Sequence, residues 1–235
     1  AAHYGVVKKS IGNYKRRFSI PTEPRGSPSN PYFPLSSSEF QVVVGSLLGD
    51  ASLPLQKHGK NPEFRETHST QQRGYLEWKA EQLQRLEPRL FDGVNRTPGY
   101  GQPFVCLLTP SWPNLLPLHQ TFYPEGKKVL PKELLWDLDH QGLAVWYQDD
   151  GHYRQEKKNS QLATNGFTKE ENEWLAGEFF PKRFGLSPKL KRASPSHPTW
   201  GLRFNVADTR RLITIVTPYV HPILFYKVGL TRDLD

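Results

Sequence analysis

Two apolar segments that each run into an aspartate constrain the fold of this chain more than any other feature. The first is VVVGSLLGD (42–50) and the second is LAVWYQDDG (143–151), so that Asp50 and Asp150 lie one hundred residues apart. A helix that is apolar on all sides is stable only when it is buried. The natural partner of each predicted helix is the other one, which predicts two helices packed side by side.

Helix-start signals precede both segments. Ser36 and Glu39 form an S-x-x-E capping box, in which each side chain accepts from the backbone N–H of the other residue, and they predict a helix over about 37–48. The second segment has Asp137 or Asp139 available as its N-cap.

Small residues along the predicted contact allow the two helix backbones to approach closely. Gly45 and Gly49 lie on one face of the first helix, and Ala144 is the candidate for the same role in the second. Parallel packing would bring Asp50 and Asp150 together at the negative ends of two helix dipoles. A divalent cation with hard oxygen ligands would compensate this charge, which favours a Mg²⁺-type site.

The elements predicted after each helix follow a similar order. In the first half they are two polar strands (51–57 and 63–70), a helix (71–88), a strand (103–109) and a short helix (112–124). In the second half they are two polar strands (152–159 and 160–166), a helix with a Thr168/Glu171 capping box (168–185), a strand (199–207) and a helix (208–220). We therefore expect an α+β fold with a basic N-terminal arm (1–35), a first repeat (36–126), a linker (127–136) and a second repeat (137–235).

The charge balance indicates the kind of binding partner, and the cysteine count indicates the cellular compartment. The 31 Lys and Arg against 23 Asp and Glu give a net charge of +8, which favours a polyanion such as nucleic acid. Residues 1–17 are basic and lack acids, as a transit peptide, a nucleic-acid-binding arm or a plain leader would be. The single Cys106 excludes an intramolecular disulfide, and no apolar run reaches the length of a membrane span. We expect no membrane partner and a location in an organelle (mitochondrion or chloroplast) or a bacterial cytoplasm, not secretion.

The segments FQVVVGSLLGD and GLAVWYQDDG, each with the same elements after it, resemble the two motifs of LAGLIDADG homing endonucleases, in particular the single-chain, two-repeat enzymes encoded within introns. GKKVLP, LATNGFTKEENEWL and PYVHPILFYK also resemble the family's pattern, so that the resemblance covers residues 36–230. It implies two pseudo-symmetric αββαββα-type halves, with saddle-shaped antiparallel sheets that bind DNA and motif helices packed at the interface. It also implies a monomer that makes a double-strand break in a long double-stranded DNA target and so initiates intron homing.

The resemblance assigns one acid to each DNA strand. Asp50 and Asp150 match the catalytic, metal-binding acids, and Gly49 and Asp149 stand beside them in the implied metal site. The implied cofactor is Mg²⁺, which Mn²⁺ or Ca²⁺ can replace for binding. The second motif has Gln148 and Asp149 before its acid instead of a glycine, which leaves the helix packing there open.

Two lysines match the basic residues that the family places near each scissile phosphate. They are Lys128 in GKKVLP and Lys227 in FYK, with Lys127 as the alternative to Lys128. We expect them to stabilise the developing charge or to polarise the solvent near the nucleophile.

Polar strands after each motif are expected to read DNA, since a two-stranded ribbon fits the major groove. The candidates are Gln56, Lys57, Lys60, Arg65 and His68 in the first half, and Arg154, Gln155, Lys157, Asn159, Gln161, Asn165, Arg203 and Asn205 in the second. The basic segment 187–198 adds Lys189, Lys191 and Arg192 for phosphates or the groove.

Three other interpretations compete with a DNA endonuclease. A maturase-like protein that binds its own intron RNA is the main alternative, and retention of both acids argues against loss of cleavage. A basic RNA-associated scaffold would account for the charge and would leave both helix–acid segments without a role. A zinc site is disfavoured because His58, His68, His152 and His197 lack metal-ligand spacing.

Overall fold

The computed structural model describes residues 35–56, 59–94, 101–192 and 199–230. The fold is α+β, as predicted, with helices and two antiparallel sheets. The helices are α1 (Ser37–Leu48), α2 (Arg73–Gln82), α3 (Leu116–Phe122), α4 (Lys132–Leu135), α5 (His140–Asp150), α6 (Lys169–Trp174), α7 (Phe180–Phe184) and α8 (Val206–Val216). A π-helical turn, Leu175–Phe179, joins α6 to α7.

Each half of the chain forms one sheet. The first sheet has the order β1-β3-β2 and contains β1 (Arg65–Ser69), β2 (Arg89–Val94) and β3 (Pro103–Leu108). The second sheet has the order β4-β5-β7-β6 and contains β4 (Gly151–Arg154), β5 (Asn159–Leu162), β6 (Lys189–Arg192) and β7 (Trp200–Arg203).

The two motif helices, α1 and α5, begin where the capping signals predicted. The hydroxyl of Ser36 accepts from the N–H of Glu39 at 3.2 Å, and the Glu39 carboxylate accepts from the N–H of Ser36 at 2.7 Å. Of the two candidate caps for α5, Asp139 is the one used, because its carboxylate accepts from the N–H of Gly142 at 3.0 Å. The N-termini of both helices are therefore fixed by local sequence.

α1 and α5 pack closely along a seam of small residues. A Cβ built on Gly45 would lie 2.5 Å from the carbonyl oxygen of Gly142 and 2.8 Å from the Cβ of Val145, so only glycine fits. The close approach predicted at Gly45 is confirmed. On α5 the matching small residue is Gly142, where a Cβ would collide with the side chain of Gln41. Ala144, the residue proposed from the sequence, is also buried.

The first sheet departs from the predicted hairpin. Residues 51–57 were expected to form a strand, and they contribute only isolated bridges, Ser52 to Arg65 and Leu55 to Pro62. Proline at position 54 removes a backbone N–H from this segment, which disfavours a continuous ladder. β2 was not predicted, since its sequence RLFDGV has neither a clean alternation nor a β-branched run.

The last helix starts earlier than the sequence suggested. α8 was expected to begin at Asp208, whereas it begins at Val206 because the side chain of Asn205 accepts from the N–H of Asp208 at 2.9 Å and caps it. Strand β7 accordingly ends at Arg203. Within the described ranges, no helix has the length and apolarity needed to cross a bilayer.

Candidate active site

The C-terminal ends of the two motif helices meet and bring three carboxylates together. A Cβ on Gly49 would lie 2.5 Å from the Cβ of Asp149, so the helix ends are in direct contact. The side chain of Asp50 is 42% exposed, that of Asp149 is buried and Asp150 is half-buried. The neighbouring aspartates Asp149 and Asp150 thus have different surroundings.

Both acidic and basic groups act on the charge of Asp150. Burial and then the charges of Asp50 and Asp149 raise the pKa of Asp150 to about 7, while Lys128 and Lys227 oppose the shift. Mutual repulsion between carboxylates is relieved when a cation binds among them.

Lys128 closes the end of α1. Its ammonium donates to the carbonyl oxygens of Gly49 at 3.3 Å and Ala51 at 3.2 Å. Burial lowers the pKa of Lys128, and among the acids Asp150 opposes this most strongly. Lys127 is exposed, so the geometry favours Lys128 over its neighbour.

Lys227 closes the end of α5 in the same way. Its ammonium donates to the carbonyl oxygens of Gln148 at 2.5 Å and Asp149 at 2.7 Å. Burial lowers the pKa of Lys227, and Asp149 and then Asp50 oppose it. Each helix therefore receives from outside the positive charge that its own last turn lacks.

A pocket opens beside Asp150. Its lining includes Gly49, Lys128, Asp150, Thr164 and Asn165. Asn165 was expected to contact DNA, and the structure places it here beside a predicted catalytic acid. The pocket therefore brings together an acid, a lysine and an amide.

The surroundings of Asp50 are different, because a buried histidine lies beneath it. Atom Nε2 of His68 is 3.8 Å from Asp50 Oδ2 and 2.6 Å from Glu66 Oε1, and Nδ1 is 2.6 Å from Gln72 Oε1. Single ligand atoms of Asp50, His68 and Asp149 all lie within 4.8 Å of one another. His68 was expected on an outward strand face, and it is buried on the inner face of β1.

A fully buried ion cluster, which the sequence analysis did not identify, adjoins this histidine. Lys79 donates to Glu66 Oε1 at 2.5 Å and to Asp149 Oδ1 at 2.9 Å, and Tyr75 donates to the same Asp149 oxygen at 2.9 Å. Against the effect of burial, Asp149 and Glu66 raise the pKa of Lys79, while Lys79 and His68 lower that of Glu66. Burial raises the pKa of Asp149 to about 7 although Lys79 opposes it.

The second sheet aligns several of the predicted DNA-reading residues. Strand register places Gln161 beside Arg203, and Arg203 beside Lys189, in one row across β5, β7 and β6. The ammonium of Lys191 donates to Gln161 Oε1 at 2.7 Å. The row combines an amide, a guanidinium and an ammonium, which are side-chain groups able to hydrogen-bond to base edges and phosphates.

The other predicted DNA-reading residues have varied surroundings. Exposed members are Gln56, Lys60, Arg65, Gln155, Lys157 and Arg192, and partly buried ones are Arg154 and Asn159. The carboxylate of Glu63 accepts from both Gln56 and Arg65. Asn205 caps α8, and Lys57 lies outside the described residues.

Comparison with known proteins gives one family. The model of the LAGLIDADG DNA endonuclease family matches residues 40–212. Protein RecA of Mycolicibacterium chitae is 31% identical over 206 residues, which are 83% of this chain and 47% of that protein. A cytochrome b mRNA maturase of Debaryomyces hansenii is 28% identical over 207 residues, which are 83% of this chain and 75% of that protein. The chain thus spans about half the length of the RecA proteins that it matches.

A solved structure shares the whole fold. The homing endonuclease I-WcaI, bound to its DNA recognition sequence, superposes with a TM-score of 0.74 at 22% identity, and the match covers 95% of each chain.

Proposed function

This chain belongs to the LAGLIDADG DNA endonuclease family, and we propose that it makes a double-strand break at one long DNA sequence and so initiates intron homing. The observation that carries the proposal is the paired arrangement at the ends of the motif helices. Each end presents an aspartate, and each has a lysine from elsewhere in the chain bonded to its last carbonyl oxygens. Cleavage of two DNA strands requires two sets of an aspartate and a lysine, and the chain supplies two.

The two halves of the site divide the acids and lysines between them. Among the acids, Asp150 most strongly opposes the lowering of the Lys128 pKa by burial, and Asp149 and then Asp50 oppose that of the Lys227 pKa. We assign Asp150 and Lys128 to one DNA strand, and Asp50 and Lys227 to the other. Either ammonium would stabilise negative charge that develops on a phosphate beside it.

The donor atoms fit a hard divalent cation. Carboxylates of Asp50 and Asp150, with the carbonyl oxygens of Gly49 and Asp149 beside them, are the oxygen ligands that Mg²⁺ accepts, and a cation would relieve the repulsion that Asp50 and Asp149 add to the burial of Asp150. When bound, such a cation activates water and neutralises charge on the leaving oxygen. We propose Mg²⁺ as the cofactor, with Mn²⁺ or Ca²⁺ able to replace it for binding.

Sequence recognition would fall to the outward faces of the two sheets. On the second sheet, the row of Gln161, Arg203 and Lys189 offers an amide, a guanidinium and an ammonium side by side. Arginine pairs with guanine and glutamine with adenine in the major groove. In the first half, Arg65 on β1 and Lys60 in the segment before it are exposed and would serve the same purpose.

We propose that the protein acts as a monomer, with its repeats divided at the 127–136 linker, in an organelle or a bacterial cytoplasm. The likeness to a cytochrome b mRNA maturase supports the alternative, in which the chain binds its own intron RNA and assists splicing. The two lysine-capped aspartates favour cleavage over that alternative.

Cleavage can be tested without knowing the target. The protein is incubated with Mg²⁺ and a randomised duplex library, and the cut ends are sequenced. We expect one enriched, metal-dependent double-strand cut, which Asp50→Asn and Asp150→Asn each abolish. The matched control is Asp137→Asn, since that carboxylate is exposed and lies at the start of the second repeat rather than in the site. Specific binding of intron RNA with no cut DNA would favour the maturase, and cutting that survives both changes would refute the mechanism.

A further inference from the structure

We propose that Lys79 is a positioning residue for one half of the site only: by holding Asp149, it sets the geometry around Asp50 and Lys227, and cleavage of one DNA strand depends on it. The inference rests on the proposed endonuclease function. It concerns a residue of the first half that contacts neither predicted catalytic acid directly.

Lys79 joins the two halves of the chain inside the protein. Its ammonium is fully buried and lies 2.9 and 3.0 Å from the two oxygens of Asp149, at the end of α5, and 2.5 Å from Glu66 on β1. Tyr75, one helical turn before Lys79, donates to the same carboxylate. Three of these groups come from the first half and one from the second.

Asp149 transmits the position of Lys79 to Lys227. The side chain of Asp149 lies against Gly49, and its carbonyl oxygen accepts from Lys227 at 2.7 Å. A shift of the Asp149 side chain would therefore move a carbonyl that anchors this lysine. Because Asp149 has Lys79 and Tyr75 as its side-chain donors, removal of Lys79 leaves its orientation to one hydroxyl.

The same cluster reaches Asp50 from the other side. Glu66 accepts from Lys79 and contacts His68 Nε2 at 2.6 Å, and that nitrogen is 3.8 Å from Asp50. Both groups assigned to this DNA strand, the acid and the lysine, are thus in contact with a network centred on Lys79.

At the places equivalent to Glu66, His68 and Asp149, the half of the site around Asp150 has uncharged residues. Strand pairing matches Ser52–Arg65 with His152–Gln161, so that Glu66 corresponds to Leu162 and His68 to Thr164. Asp149 corresponds to Gly49, which has no side chain. Thr164 is buried and donates to the amide of Asn172. An ion cluster that adjoins Asp50 and not Asp150 can affect cleavage of one DNA strand alone.

Stability is a poor explanation for this cluster. A buried ion pair repays its desolvation only partly, and apolar replacements of similar volume are often as stable. The cluster is better explained by the orientation that it imposes, since an ammonium shared by two carboxylates fixes both.

The experiment measures each strand separately. A supercoiled plasmid carries the target selected from the duplex library, each strand is labelled, and nicked and linear products are followed over time with Mg²⁺. We expect Lys79→Met to lower the cleavage rate of one DNA strand at least tenfold and that of the other less than twofold, so that nicked plasmid accumulates. The slowed strand should be the one that Asp50→Asn leaves uncut.

A second variant covers the case in which Lys79→Met does not fold. Lys79→Met combined with Glu66→Gln removes one positive and one negative charge together and leaves Asp149 with its Tyr75 hydrogen bond. We expect the same strand bias from it. Lys182→Met is the matched control, because Lys182 is an exposed lysine of α7 that pairs with Glu178 on the surface, and it should change the cleavage rate of neither strand.

The outcomes separate the two proposals. A wild-type protein that cuts neither strand counts against the endonuclease function itself. If the wild type cuts both DNA strands, the positioning role is tested by a folded Lys79 variant. The role is overturned if that variant slows cleavage of both strands equally, of neither strand, or of the Asp150 strand.

Discussion

The side chain of Asp149 occupies the space in which a side chain on Gly49 would lie. A Cβ on Gly49 would be 2.5 Å from Asp149 Cβ and 2.8 Å from its Oδ2. The two residues stand at equivalent places in the two motifs, and the second motif departs from the first at this point. The departure is accommodated because glycine on one helix leaves room for aspartate on the other.

Substitution along this seam tests how closely the helices must pack. Gly45→Ala places a methyl group against the backbone of Gly142, which cannot move aside as a flexible side chain can. We expect a loss of about 2 kcal/mol in the free energy of unfolding, within the range for overpacked cores. Urea denaturation measures it. Gly177→Ala is the control, because nothing lies within 4 Å of a Cβ there. An equal loss of stability in that variant would contradict the requirement for glycine at position 45.

The two lysines should act on different strands. Lys128→Met is expected to slow cleavage of the DNA strand assigned to Asp150, since Asp150 is the acid that affects the pKa of Lys128 most. Lys227→Met is expected to slow cleavage of the strand assigned to Asp50, since Lys227 donates to the carbonyl oxygen of Asp149 and Asp50 follows Asp149 among the acids that affect its pKa. The expected loss is about 100-fold in the single-turnover rate, as for removal of one charge-stabilising donor. Lys127→Met should cut both strands at the normal rate because Lys127 is exposed. The assignment fails if Lys127→Met produces the larger loss.

The sequence predicts what is determined locally. Both motif helices start as predicted because the capping groups of α1 and α5 lie within three residues of the N–H groups that they accept from. The Asp50 and Asp150 pair follows from the same helices and their packing. The helix starts need only the spacing of residues along one element, and the pair of acids needs in addition the packing of two apolar helices.

Features that depend on tertiary placement were missed. The Glu66, Lys79 and Asp149 cluster joins residues far apart in sequence, and no single segment shows that they meet. A partial signal existed, because the alternation of β1 puts Glu66 and His68 on its buried face and thus requires buried partners. The strand β2 was also missed, since a central neighbour, β3, decides its pairing.

Arg203 and Asn205, two residues apart, should separate DNA reading from stability. Arg203 is exposed between Gln161 and Lys189, so Arg203→Ala is expected to weaken DNA binding by about 1–3 kcal/mol and to relax the preference at one base pair. Asn205 caps α8, so Asn205→Ala should lower the free energy of unfolding by about 1 kcal/mol and leave base preference unchanged. Binding to a panel of single-base-pair target variants, with thermal unfolding alongside, distinguishes them. If Asn205→Ala changes the base preference, Asn205 contacts DNA as the sequence predicted.

The charge on Asp150 should make the metal-free protein less stable as the pH rises. The folded-state pKa of Asp150 is about 7 against an ordinary value of 3.8, so between these values the folded state holds a proton that the unfolded state has lost. Stability falls with pH wherever the folded state binds more protons. We therefore expect the melting temperature of Asp150→Asn, relative to wild type in EDTA, to rise between pH 4 and pH 7. Added Mg²⁺ at neutral pH should stabilise the wild type more than the variant, because the ion binds the ionised carboxylate. If the difference in melting temperature between the two proteins stays constant across this pH range, Asp150 ionises as an ordinary surface aspartate does.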